Sequence, residues 1–275
     1  MRIAVTGAGG TVGGQVVRLL AAAEGGHRVV ALSRRGPTLR GVDTAYADYA
    51  DLDSLRAALR GVDTLVFISG DGDAAKVLLH HENVVTAAAR SGVAHIVALS
   101  GLDADVTSPF CYGVTNGHTE RLLAGSGCAW SVARASIFTE FFAGLLAAAR
   151  SGDRIEVPAA DGRVSLVSRT DVGRCLAALA LGAPTGVHHD ITGPAAYDLG
   201  DLAALAGATY TDIDPADYVR AMAAAGEDPW WMYAYATMLT TVREGRWESV
   251  SGEVLRLTGR VPVAPDELLD ATGAR

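Results

Sequence analysis

The first thirteen residues constrain this chain more than any other stretch. A short apolar run, Arg2-Ile3-Ala4-Val5, leads without a break into Thr6-Gly7-Ala8-Gly9-Gly10-Thr11-Val12-Gly13. The run predicts a strand, the glycines a tight turn, and the stretch from Thr11 to Ala23 a helix opening at the strand's end. Gly7, Gly10 and Gly13 form a GxxGxxG spacing. The first glycine permits the turn. The second lets backbone N–H groups approach a pyrophosphate, where the helix dipole favours anions, and the third allows close helix–strand packing. A glycine-rich turn with no ligand is the plainer alternative. The motif's place on a strand–turn–helix favours a dinucleotide, with Gly7, Gly10, Thr11, Val12 and Gly13 as binding residues.

The pattern after this turn repeats the same rhythm. Strands are expected at Arg28–Ser33, Thr44–Ala47, Thr64–Ile68, His95–Leu99 and Ala129–Ala133. Helices are expected between them at Leu52–Arg60 and from about Tyr112 to Leu123. A third carries Val77, Leu78, His81, Val84, Val85 and Ala88 on one face and stops at Ser91-Gly92. Alternating helices and apolar strands predict an α/β fold, a Rossmann-type doubly wound parallel sheet covered by helices on both faces. Past Phe138 the rhythm loosens. Helices are expected at Phe138–Arg150, Thr170–Leu181, Asp201–Ala206, Pro215–Ala224 and Trp231–Arg243, with short strands at Val164–Val167 and His188–Thr192. The expected organisation is a nucleotide-binding domain over 1–150 and a small, mostly helical lobe over 151–275, interleaved with it as one compact unit.

Composition narrows the function class. The 275 residues carry 23 Lys+Arg against 31 Asp+Glu, a formal net charge of -8. That balance argues against nucleic acid as the partner. The longest apolar run, Phe141 to Ala149, is well short of the ~20 residues a membrane span needs. No signal-peptide pattern opens the chain. The three cysteines, Cys111, Cys128 and Cys175, offer neither a disulfide framework nor a metal pair. His80-His81 and His188-His189 lack the i, i+4 spacing of a helical metal site. The expectation is a soluble, cytoplasmic protein without a metal.

The end of the second expected strand bears on which nucleotide fits. An NAD site places an acid there to bind ribose hydroxyls. Here the stretch reads Leu32-Ser33-Arg34-Arg35, which lacks the acid and supplies cations for a 2′-phosphate. The expected cofactor is therefore NADP(H), with Arg34 on its phosphate; a solvated loop arginine is the plainer reading. Asp48, after the third strand, is a candidate for meeting the adenine, or else an Asx turn. Ser69 and Gly70 end the fourth strand, where small residues let the backbone sit close to a ribose, or simply turn the chain.

Taken together, these stretches resemble the NmrA-like branch of atypical short-chain dehydrogenases, and within it the bacterial NAD(P)H:quinone reductase-like members. The resemblance runs through Thr6–Gly13, Ala47-Asp48-Tyr49, Gly61-Val62-Asp63 to Ile68-Ser69, and His81-Glu82-Asn83-Val84. It continues through Ser126-Gly127, Ser165 to Asp171, Arg243-Glu244-Gly245 and Leu257-Thr258-Gly259-Arg260, nearly the whole chain. It implies a Rossmann domain, a substrate lobe and a cleft between them. It also implies either a reductase of quinones or a nucleotide-sensing regulator without turnover. A reductase tailoring an aromatic polyketide-like substrate is a third reading.

Conventional short-chain dehydrogenases use Tyr-x-x-x-Lys with a helping serine. Here Tyr112 and Ser100 take the tyrosine and serine places as candidate catalytic residues, but Asn116 stands where the lysine belongs. Of the 23 cations one is a lysine, Lys76, and the other 22 are arginines. Without a cation beside it, a tyrosine is a poor acid–base at neutral pH. This suits a flat, electron-poor aromatic or quinone-like substrate, which takes its proton from water after hydride transfer. The resemblance implies a structural role for Glu120. Phe138, Phe141 and Phe142 read as cleft lining or core. Trp230-Trp231-Met232-Tyr233 reads as a substrate wall, lobe core or dimer contact, which leaves a homodimer open.

Overall fold

The computed structural model describes residues 1–34, 41–70, 72–148, 150–151 and 153–271. Arg35 lies outside the described residues. The described chain divides into two compact units. The first is assembled from Met1–Ser100, Thr115–Arg134 and Arg169–His189, and the second from Gly101–Val114, Ala135–Ser168 and Asp190–Arg275.

The first unit holds the expected alternation. In chain order it comprises β1 (Arg2–Val5), α1 (Thr11–Ala22), β2 (Arg28–Ser33), β3 (Asp43–Tyr46), α2 (Leu52–Ala58), β4 (Thr64–Phe67) and α3 (Ala74–Arg90). Then follow β5 (His95–Gly101), α4 (Cys111–Gly125) and β6 (Ala129–Ala135), each crossing a unit boundary. Strands β1 to β6 join a later strand, β10 (His188–Ile191), in a seven-stranded sheet ordered β10-β6-β5-β4-β1-β2-β3. β1 lies parallel to both β2 and β4, pairing Ile3 with Val29 and with Thr64. β4 is buried at all four positions, as a strand covered on both faces must be.

The core of this unit runs through Ala4, Leu32, Leu65, Phe67, Val84, Ile96 and Val132. α3 buries Val77, His81, Val84, Val85, Ala87 and Ala88, close to the expected stripe, with Leu78 only partly covered. Gly92 ends α3 with φ +73°, a left-handed conformation that favours glycine. A later helix, α6 (Arg169–Leu181), packs on α1. Gly173 there leaves room for Gln15: a Cβ at 173 would stand 3.0 Å from Gln15 Cδ. Gln15 donates from Nε2 to the Thr170 carbonyl at 3.0 Å.

The second unit contains α5 (Thr139–Ala148), β7 (Arg150–Ser151), β8 (Arg154–Glu156) and β9 (Arg163–Val164). It continues with β11 (Tyr197–Asp198), α7 (Leu199–Leu205), β12 (Thr209–Thr211), α8 (Pro215–Ala224), α9 (Pro229–Arg243), α10 (Glu253–Thr258) and α11 (Pro265–Ala271). Its core gathers Leu102, Phe142, Ile155, Val164, Leu166, Leu202, Met238, Leu239 and Trp247. Trp247 is 2% exposed and donates from Nε1 to the Leu102 carbonyl at 3.3 Å. The expected helices past Phe138 are all present, Pro215–Ala224 with the expected ends and the others with shifted ones. The two- and three-residue strands β7, β8, β11 and β12 are additions to the expected elements.

Two glycines of this unit differ sharply in their surroundings. A Cβ at Gly193 would stand 1.9 Å from the Leu166 carbonyl oxygen, while one at Gly144 within α5 would meet nothing within 4 Å. Gly193→Ala is expected to destabilise the fold by about 1–3 kcal/mol through overpacking. Gly144→Ala is expected to be stabilising by about 0.5–1 kcal/mol. Chemical denaturation of both variants checks the pair, and equal midpoints would contradict it.

Candidate functional site

The candidate site assembles where β1, β2, β3 and β4 end. Gly7 takes φ +59°, a conformation few side chains tolerate. Its carbonyl accepts from Gly10 N–H at 2.9 Å, and Ala8 N–H donates to the Leu32 carbonyl at 3.3 Å. A Cβ at Gly13 would stand 2.2 Å from the Gly7 oxygen, and one at Gly10 3.3 Å from it. Helix and turn therefore close on each other only because residue 13 lacks a side chain, with a Cβ at residue 10 a tight contact.

Gly10 caps α1 without a side-chain hydrogen bond, and no acid lies in the first turn. By contrast, Asp51, Asp73, Asp198, Asp214 and Asp228 each cap a helix with a carboxylate. The opening amides of α1 are thus left without a side-chain acceptor, beside exposed Thr11 and buried Val12. That arrangement fits a pyrophosphate.

The neighbouring strand ends are tied to this turn by polar side chains. Thr6 Oγ1 accepts from Ile68 N–H at 2.9 Å. Tyr49 donates its hydroxyl to the Ile68 carbonyl at 2.7 Å, and burial pushes its ionisation well above the usual range. Asn83 donates to the Tyr49 carbonyl at 2.9 Å. Arg34 follows the last residue of β2 and is exposed. The Asp48 carboxylate accepts from Ala50 N–H at 3.0 Å, which is the Asx turn, so this oxygen already has a donor.

Ser69 and Gly70 are held by His81, a residue whose side chain is fully buried. His81 Nε2 accepts from Gly70 N–H at 3.3 Å and lies 3.2 Å from Ser69 Oγ. An accepting Nε2 leaves the proton on Nδ1, which donates to Thr119 Oγ1 at 2.7 Å. Thr119 in turn donates to the Thr115 carbonyl at 2.7 Å. Burial first, then the neighbouring His80 and His118, lower the His81 pKa from 6.5 to about 4.

Ser100, near the end of β5, is buried and donates its hydroxyl proton to Glu120 Oε1 at 2.6 Å. Arg134 donates from Nε to the same oxygen at 3.0 Å, and His188 Nε2 lies 3.1 Å from Oε2. Glu120 is thus a buried carboxylate surrounded by donors. Ser100 is oriented toward it with its hydrogen bond already donated. Lys76 is exposed in the first turn of α3.

Tyr112 belongs to the second unit and Ser100 to the first. Tyr112 meets Phe110 edge-on at 5.5 Å and Trp230 edge-on at 6.0 Å. Phe110 meets Trp247 at 5.2 Å, and Trp231 stacks on Tyr235 at 5.8 Å. The late aromatic residues therefore form connected sets within the second unit. Phe142 is fully buried core, and Phe141 packs against the same cluster. No group of three or more metal-ligating side chains occurs among the described residues. No helix of the described residues is long and apolar enough to cross a membrane.

Sequence reasoning missed the His81–Thr119 pair, the Tyr49–Ile68 bond and the Glu120 cluster. His81 gave one signal, an imidazole on an otherwise apolar stripe. Its lowered pKa has a consequence for stability. The unfolded imidazole takes a proton below about pH 6.5 and the folded one resists until about 4. This group's contribution is therefore complete above 6.5 and declines as pH falls toward 4, by about 3 kcal/mol in all. The melting temperature is expected to fall between about pH 7.5 and 5, and to fall less in His81→Asn. Equal pH slopes in thermal melts would contradict this.

A family model described as NAD(P)H-binding matches residues 7–181. Quinone oxidoreductase 2 of Escherichia coli is 30% identical over 236 residues, covering 82% of each chain. An NmrA-like family domain-containing oxidoreductase of Aspergillus flavus is 31% identical over 189 residues, covering 65% of this chain and 61% of its own. Among solved structures, the NADPH complex of an Escherichia coli NADPH-dependent quinone oxidoreductase superposes with a TM-score of 0.91. It is 27% identical and covers 98% of this chain and 99% of its own. With the uncapped glycine turn at the head of a parallel sheet, these matches place the chain in the NAD(P)H-binding, NmrA-like family of oxidoreductases.

Proposed function

We propose that the chain is an NADPH-dependent reductase of quinones or similarly flat, conjugated carbonyl compounds. The observation that carries this reading is the asparagine that stands where a Tyr-x-x-x-Lys pair would place its lysine. Asn116 holds the lysine place, and the Ser100 hydroxyl donates its hydrogen bond to Glu120. A substrate that accepts hydride readily and takes its proton from water needs neither. The names of the Escherichia coli relatives, a quinone oxidoreductase by sequence and an NADPH-dependent one by fold, support the same class.

In this reading the α1 amides at Thr11, Val12 and Gly13 hold the pyrophosphate, and Arg34 pairs with the 2′-phosphate. Ser69 and Gly70 contact a ribose. Asp48 faces the adenine only with the oxygen not used in its turn. Bound NADPH supplies the hydride. Tyr112 belongs to an aromatic set with Phe110 and Trp230 and is not the acid, and Glu120 fixes Ser100 and Arg134 in place. The substrate is a small molecule.

Oxidation of NADPH by a panel of small quinones, run beside a binding titration, tests the assignment. Turnover with quinones is expected. Tight NADPH binding with no turnover on any quinone, enone or ketone would favour a nucleotide-sensing role instead. Tyr112→Phe is expected to keep kcat within about threefold, since an aromatic contact survives the change; loss of two orders of magnitude would restore Tyr112 as the acid. Arg34→Ala is expected to raise KM for NADPH by about tenfold or more and leave KM for NADH nearly unchanged. Equal effects on both would remove Arg34 from the 2′-phosphate.

A further inference from the structure

The peptide joining Ser69 to Gly70 has a defined orientation. Its N–H is directed at His81 Nε2, 3.3 Å away. A trans peptide carries N–H and C=O on opposite sides, so the Ser69 carbonyl faces away from the buried imidazole. The imidazole itself cannot turn over without cost. Its other nitrogen is committed to Thr119 Oγ1 at 2.7 Å, and Thr119 to the Thr115 carbonyl within α4 at 2.7 Å. Phe67 meets the ring edge-on at 5.0 Å, which fixes its plane. Among the described residues nothing demands glycine at 70 for space, because a Cβ there would make ordinary 3.8 Å contact with the Tyr49 ring. Peptide orientation, not room, is what His81 controls at this position.

We propose that His81 is a positioning residue: by anchoring Gly70 N–H it presents the Ser69 carbonyl as the acceptor for a ribose hydroxyl of the bound dinucleotide. This rests on the reading of Ser69 and Gly70 as cofactor contacts. The selectivity is for a hydroxylated sugar, because a carbonyl oxygen accepts and has no proton to give. The Thr119 bond adds a second duty. It ties the β4 end to α4, the helix that starts at Cys111 and carries Tyr112 in its first turn.

Two substitutions separate the two arms of the imidazole. His81→Gln places an acceptor near the Nε2 position, and His81→Asn keeps a donor near the Nδ1 position. NADPH dissociation constants, read from cofactor fluorescence without turnover, are expected to stay within about twofold for Gln and to weaken about tenfold for Asn. Equal constants for the two variants would overturn the proposal. An NADPH analogue with 3′-deoxyribose in place of each ribose is expected to bind wild type more weakly than NADPH does. In His81→Asn that difference should shrink, which a merely structural role would not produce. Should neither variant fold, wild type alone decides. Nitrogen chemical shifts of His81 are expected to show the proton on Nδ1, and a proton on Nε2 sinks the idea. The underlying reading fails separately: a Gly70 amide shift that does not move when NADPH is added removes this loop from the cofactor site, whatever the tautomer.

Discussion

The contact on which the rest of this structure depends is the approach of α1 to the turn that precedes it. The Gly7 carbonyl lies where a Cβ of residue 13 would be, at 2.2 Å, so the helix can start against the end of β1 only with hydrogen at that position. Everything at the site inherits its place from this closure. The uncapped amides of α1 are brought to the strand ends, and Gly7 comes against Ile68, whose backbone is in turn held by Thr6 and Tyr49. An anion at that point meets amides already aligned, so little of their hydrogen bonding is spent on ordering them.

The polar groups around the site follow one rule. The buried imidazole, carboxylate and phenol beside the strand ends each have partners within the chain. His81 is satisfied on both nitrogens, Glu120 on both oxygens, and the Tyr49 hydroxyl by a carbonyl. Burying such groups unpaired would cost several kcal/mol, so these pairings are a condition of the fold and not an addition to it. They also decide the chemistry left over. A serine whose proton is directed at a carboxylate has lone pairs to present and no acid to lend. The electron-poor substrates proposed for this chain ask for no more than that.

Much of the scaffold was legible in the sequence because local signals carry it. Apolar runs such as Thr64 to Phe67 and the stripe from Val77 to Ala88 have a period that a linear reading detects, and Ser91-Gly92 marks a helix end by conformation alone. The candidate site shows in the sequence where it is made of backbone, in the strand–turn–helix of the glycine motif. It was hidden where it depends on distant pairs. His81 finds Thr119, Ser100 finds Glu120, and Tyr49 finds Ile68 only once the strands are laid side by side. Strands of two residues, such as Tyr197–Asp198 against Arg163–Val164, are too short to show a period at all. At Asp48 the structure shows the Asx turn that the sequence offered beside the ligand role, with one carboxylate oxygen on Ala50 N–H.

The way the chain is divided has a consequence for how it is made. The first unit takes its third segment from Arg169–His189, and α6 in that segment lies on α1 through Gly173 and Gln15. During synthesis from the N-terminus, the glycine turn and α1 are complete within the first few dozen residues. They then wait for roughly a further hundred and fifty before the helix that covers them has been translated, at about ten residues per second. For that interval the face of α1 that ends against α6 lacks that cover.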